Sequence, residues 1–111
     1  MNEWTSLKEN RDFRRLYGRG KSYISSGLVV YAARNRCRSV RMGITTSKKV
    51  GNAVLRSRSR RVIREAFRAV FPEIRPGYDF VLVARSRTPH LKSTELTKVL
   101  RRLLREAGVL L

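Results

Sequence analysis

The sequence predicts an α+β fold, a two-layer α-β sandwich in which a small sheet is covered by helices on one side. Three observations predict it. Apolar residues recur at helical spacing in three segments, and they alternate or cluster at strand spacing in up to four others. The two kinds follow one another in the order helix, strands, helix, strand, helix. At 111 residues with 41% hydrophobic content, the chain is sized for one compact domain over 1–111 with a modest core. No repeat, low-complexity tract or long linker divides it.

From Ser6 to Gly18, Leu7, Phe13, Leu16 and Tyr17 lie at mixed three- and four-residue spacings, and Gly18 and Gly20 then stop the helix. "SYIS" and "LVVYAA" are rich in β-branched and aromatic residues and are parted by Ser26 and Gly27, so they read as two strands or one interrupted strand. Beyond the polar "RNRCRS", Val40, Met42 and Ile44 alternate with Arg41, Gly43 and Thr45, a strand with one buried face. From about Ala53 to Phe71 the spacing becomes helical, gathering Leu55, Val62, Ile63, Ala66, Phe67 and Val70 on one side. Pro72 and the pair Pro76 and Gly77 punctuate the chain before "YDFVLVA", whose apolar residues occupy both faces and mark a central strand. After the loop "RSRTPHLKS", the residues Leu96, Val99, Leu100, Leu103, Leu104 and Ala107 form a helical stripe that ends at Gly108.

The surface is unusually cationic. Against 8 acidic residues stand 26 basic ones, a net charge of +18, which repels itself unless an anionic partner sits nearby. Nucleic acid is the first candidate and an acidic membrane the second. The basic residues are mainly arginine, whose planar fork suits phosphate and stacks on bases, although a GC-rich genome would enrich arginine too. No run of eighteen apolar residues exists, and "MNEWTSLKEN" lacks the apolar stretch of a secretory signal. A cytoplasmic protein with no membrane association is expected. The single cysteine, Cys37, forms no internal disulfide and has no adjacent base in sequence.

Residues for catalysis are scarce. His90 is the only histidine and falls in a loop beside Pro89. The eight carboxylates are scattered, and there is no Cys/His cluster, HExxH or calcium-loop pattern. "GRG" at 18–20 is too short for a nucleotide loop and reads as the helix stop. Binding is what remains. Arg56, Arg58, Arg60, Arg61, Arg64 and Arg68 crowd one helix against Glu65 alone, which at helical spacing would pair with Arg61, Arg64 and Arg68. Lys48 and Lys49 precede the helix start near Asn52, where free backbone N–H groups and the helix dipole also favour anions. Phe13, Tyr17 and Tyr31 are aromatics that could stack on unpaired bases or equally belong to the core. Trp4 and Tyr23 carry less information.

The run "KKVGNAVLRSRSRRVIREAFR", preceded by "RMGITTS" and followed by "YDFVLVAR", resembles the signature block of the protein subunit of bacterial ribonuclease P. "DFRRLYGRGKS" and "LVVYAAR" extend the resemblance over nearly the whole chain. It implies a four-stranded mixed sheet with an unusual left-handed βαβ crossover, against the right-handed preference of such units. It also implies a holoenzyme that hydrolyses one phosphodiester bond to remove the 5′ leader of precursor tRNA. In that family an RNA subunit performs the chemistry with Mg²⁺ and the protein holds no tightly bound cofactor; no protein partner is required. Carried onto this chain, the RNA-subunit contacts fall on Lys48, Lys49, Arg56, Arg58, Arg60, Arg61, Arg64 and Arg68. The leader contacts fall on Phe13, Tyr17, Tyr31 and Thr45, with Ser57 as a further position. The usual Arg-Asn-Arg triplet here reads Arg56, Ser57, Arg58, and serine lacks the amide's reach and second donor.

Overall fold

A computed structural model describes residues 3–111. The elements run β1 (Thr5–Ser6), α1 (Asn10–Arg19), β2 (Lys21–Ile24), β3 (Leu28–Arg34), β4 (Val40–Thr45), α2 (Ala53–Val70), β5 (Tyr78–Ala84) and α3 (Ser93–Glu106). They form one mixed sheet in the order β1-β4-β5-β3-β2. β4 runs parallel to both β1 and β5, whereas β3 is antiparallel to β5 and to β2. The apolar run of β5 accordingly lies at the centre, buried from Asp79 through Leu82.

The sheet has five strands, one more than the four expected. The extra strand, Thr5–Ser6, lies partly inside the segment read as helix from Ser6, and α1 begins only at Asn10. Leu7 explains the difference. Its N–H donates to the Met42 carbonyl at 3.0 Å and its side chain is buried beneath the sheet, so it belongs to the edge pairing rather than to the helical stripe.

Alternation along the strands creates two cores. On one face Leu28, Val30, Met42, Phe80 and Leu82 meet Ile63, Ala66 and Phe67 of α2 and Leu96, Leu100 and Leu103 of α3. This is the layer of helices on one side that the sequence predicts, and it contains most of the buried apolar surface. On the other face Leu7, Leu16 and Val81 form a much smaller core beneath α1, flanked by Phe13, Tyr31, Ala33 and Val83. α1 therefore covers part of the face opposite α2 and α3. The physical origin is the central strand, whose side chains are apolar in both directions and require cover on each side.

Candidate nucleic-acid interface

Strand register sorts the α1 face into three rows. Ala33, Asp79 and Arg41 form the first, Tyr31, Val81 and Gly43 the second, and Val29, Val83 and Thr45 the third, which Ile24 of β2 extends. Phe13 and Leu16 of α1 cover the second row. Gly43 is required there because a Cβ at that position would lie 2.5 Å from Phe13 Cζ. Of the third row, Ile24, Val29 and Val83 are left uncovered by α1 and floor a groove of about 530 Å³. Tyr31, Lys49 and Arg85 line its sides.

Tyr17 stands at the edge of this groove, 41% exposed. Its ring meets Tyr31 edge-on at 5.0 Å, and its hydroxyl lies 2.6 Å from Thr45 Oγ1. The structure thus brings together four of the residues assigned to the leader: Phe13, Tyr17, Tyr31 and Thr45. Ser57 is not with them. It sits on the exposed face of α2, where its hydroxyl accepts from Arg60 Nη2 at 3.2 Å.

The first row is a charged clamp that the sequence reading missed. Asp79 is fully buried. It accepts from Arg41 Nε at 2.8 Å and Nη2 at 2.6 Å, from Asn35 Nδ2 at 2.8 Å, and from Arg15 Nη2. Burial pushes the Asp79 carboxyl upward, but the hydrogen bonds from Arg41 and Asn35, the Arg41 charge and Arg15 outweigh it and hold the pKa below the ordinary value. One signal was available: a lone acid within the apolar "YDFVLVA". Its partners lie on α1, the β3–β4 loop and β4, too far apart in sequence to be paired by spacing.

The second surface is built on α2. Asn52 caps the helix, its Oδ1 accepting from the Leu55 N–H at 3.0 Å. Before it, Lys48–Val50 form a single 3-10 turn and Gly51 adopts a φ of 140°, a backbone that disfavours side chains. Arg56 donates to the Gly51 carbonyl at 2.7 Å, and Arg58 to the Pro89 carbonyl at 2.6 Å. Arg60 reaches Thr46 Oγ1 at 2.8 Å. Arg61, Arg64 and Arg68 are exposed. The expected pairing of Glu65 with Arg61, Arg64 and Arg68 does not form: among the described residues, no ion pair involves Glu65 or any α2 arginine. Helical spacing brings such groups within reach, but the gain for exposed pairs is small and water competes for it. Lys48 is exposed, while Lys49 also lines the groove, so the two surfaces meet at this turn.

The lone histidine and the lone cysteine lie outside the groove lining. His90 is exposed in a short 3-10 turn, Thr88–His90. Cys37 is exposed and its thiol is lowered chiefly by the hydrogen bond with Ser39. Among the described residues no three His, Cys, Asp or Glu side chains converge on a possible metal position, and Asp79 is already neutralised by arginine. No helix among the described residues is long and apolar enough to cross a membrane.

Fold and surfaces together define a small, strongly basic α+β protein with a cationic helix face and an open aromatic groove. A family model described as Ribonuclease P matches residues 1–108. The ribonuclease P protein component of Clostridium botulinum (strain Langeland / NCTC 10281 / Type F) is 39% identical over 104 residues, 93% of this chain and 94% of the relative. That of Clostridioides difficile (strain 630) is 38% identical over 110 residues, covering 98% and 96%. Among solved structures, the Staphylococcus aureus RNase P protein superposes with a TM-score of 0.84 at 34% identity, covering 96% of this chain and 98% of that one. The Thermotoga maritima RNase P protein gives 0.79 at 28% identity, covering 90% and 96%. The chain belongs to the ribonuclease P protein component family, and so to the subunits of an endoribonuclease of tRNA processing.

Proposed function

We propose that the chain binds the catalytic RNA of a bacterial ribonuclease P through α2 and the 5′ leader of precursor tRNA through the groove. It thereby supports Mg²⁺-dependent hydrolysis of the phosphodiester bond that frees the mature tRNA 5′ end. The whole chain acts as one RNA-binding domain in the cytoplasm, and the RNA subunit needs no other protein beside it.

The observation that carries this reading is the pair Thr45 and Thr46. At the end of β4 the two hydroxyls part: Thr45, the last strand residue, bonds Tyr17 beside the groove, and Thr46, just beyond it, bonds Arg60 on the α2 side. Two RNA-compatible surfaces therefore join at one strand end, with Lys49 between them. Uncompensated arginines on α2 suit the phosphates of a large folded RNA. Exposed Tyr17 and Ile24 and half-buried Tyr31 suit unpaired bases, which stack on aromatic and apolar surface without sequence preference. Bridging the two polyanions lowers their mutual repulsion and holds the leader beside the RNA that cleaves it. In this reading the protein's residues bind and orient, and the Mg²⁺ of the reaction is held mainly by the RNA subunit.

The test is cleavage of precursor tRNA by the cognate RNA at low Mg²⁺, with and without this chain. Faster cleavage with the chain is expected; equal rates overturn the proposal.

A further inference from the structure

Arg60, Arg64 and Arg68 recur every fourth residue along one flank of α2, about 6 Å apart along the axis. Facing them is the edge strand β1, with Trp4 before it and Lys8 beyond. Between the two walls lie adjoining hollows of about 280 and 240 Å³, which share Trp4, Ser6 and Arg64 in their linings and so form one trough. Trp4 is anchored from within, its ring edge-on to Phe67 at 4.9 Å and to Phe71 at 5.7 Å. The Arg68 guanidinium lies 5.3 Å from the centre of the Trp4 ring. Glu3 is the single acidic residue in the walls, against Lys8, Arg60, Arg64 and Arg68.

We infer that this trough holds an unpaired segment of the RNA subunit, its phosphates along the arginine row and one base stacked on the Arg68–Trp4 pair. The inference rests on the proposed role of α2 and adds to it the strandedness of the ligand and a role for Trp4. A row of arginines along one wall of a trough, with an edge strand as the other wall, tracks a single phosphodiester backbone. An A-form duplex, recognised across its wide minor groove, would instead lie over the convex outer face of α2. Guanidinium over indole is a favourable cation–π contact, and arginine stacks on bases as well, so an ordered Arg68 offers its free side to a base. Trp4 is thus a positioning residue for Arg68.

Trp4 is the only tryptophan, so its emission reports on the trough directly. The intact protein is titrated at low salt with a short oligouridylate and with an RNA duplex of equal charge, binding being followed independently by anisotropy. A saturable change in Trp4 emission is expected with the oligouridylate and not with the duplex, and it should vanish in the double variant Arg64→Gln, Arg68→Gln. In assembly with the cognate RNA subunit, Arg68→Gln should weaken affinity about tenfold, the loss of one stacked base. Trp4→Phe should lose less than Trp4→Leu, with circular dichroism confirming that both variants fold. Oligouridylate binding without an emission change, an equal response to duplex, or full assembly affinity in Arg68→Gln overturns the inference. If the chain still accelerates cleavage at low Mg²⁺, only the inference falls. If Trp4 responds as expected but cleavage is not accelerated, the trough stands and the proposed function falls.

Discussion

Arg41 grips Asp79 side-on through two parallel hydrogen bonds, Nε to Oδ1 at 2.8 Å and Nη2 to Oδ2 at 2.6 Å, on a carboxylate fully shielded from water. Removing the acid leaves Arg41, Arg15 and Asn35 without their acceptor. Asp79→Ala should therefore cost about 3–5 kcal/mol, read as a lowered urea midpoint.

The same pair sets a pH dependence. A carboxyl whose folded pKa is depressed contributes stability that is present above its unfolded value, about 3.9, and is lost as pH falls through the folded value. Urea unfolding followed from pH 7 to pH 3 should show stability declining below about pH 4. Asp79→Asn should be less stable at pH 7 and should flatten that decline. An identical pH profile in the variant would count against the clamp.

Gly43 lies under α1, and a methyl there meets the Phe13 ring at 2.5 Å and Leu7 Cβ at 3.1 Å. Gly43→Ala should push Phe13 out of place, with an overpacking cost of about 1–3 kcal/mol. Calorimetry measures the loss of stability, and affinity for leader-bearing precursor tRNA should fall with it.

The two surfaces should separate by mutation. Arg60→Ala combined with Arg64→Ala should weaken binding to the RNA subunit whether or not substrate carries a leader. Phe13→Ala or Tyr31→Ala should reduce the affinity difference between precursor and mature tRNA, by about 1–3 kcal/mol for a lost base stack. Equilibrium binding with matched substrates tests both, and the same response in both sets would refute the division.

Salt should weaken every RNA complex of this chain. Each phosphate neutralised on an unpaired strand contributes a log–log slope of about −0.7. Affinity measured across a salt series should fall linearly on that plot, and replacing Arg64 by Gln should make the slope shallower. A flat line would contradict the electrostatic account.

The strand and helix patterns were legible because burial imposes them locally. Val40, Met42 and Ile44 alternate since one face of β4 is covered, and the Leu96–Leu104 stripe follows from α3 resting on the sheet. β1 was not legible, because Thr5 and Ser6 carry no apolar signal and pair only with a strand some 36 positions away, Thr5 with Arg41. Phe13, Tyr17 and Tyr31 had the right composition for a base-stacking site, but their grouping depended on α1 crossing the sheet. The clamp was hidden for a similar reason: Arg15, Asn35, Arg41 and Asp79 come from four separate segments. Glu65 errs the other way, since i,i+4 neighbours permit an ion pair without enforcing it.

The small core under α1 also bears on the order in which the chain is made. Phe13 and Leu16 emerge from the ribosome early, yet Val81, the strand residue they cover, is synthesised far later. α1 thus precedes by some sixty residues the central strand that completes its docking site. Until β5 arrives, the α1 stripe can meet only Leu7 and the β3 residues Tyr31 and Ala33 of this core, and its amides should exchange faster than those of central β5 even after folding.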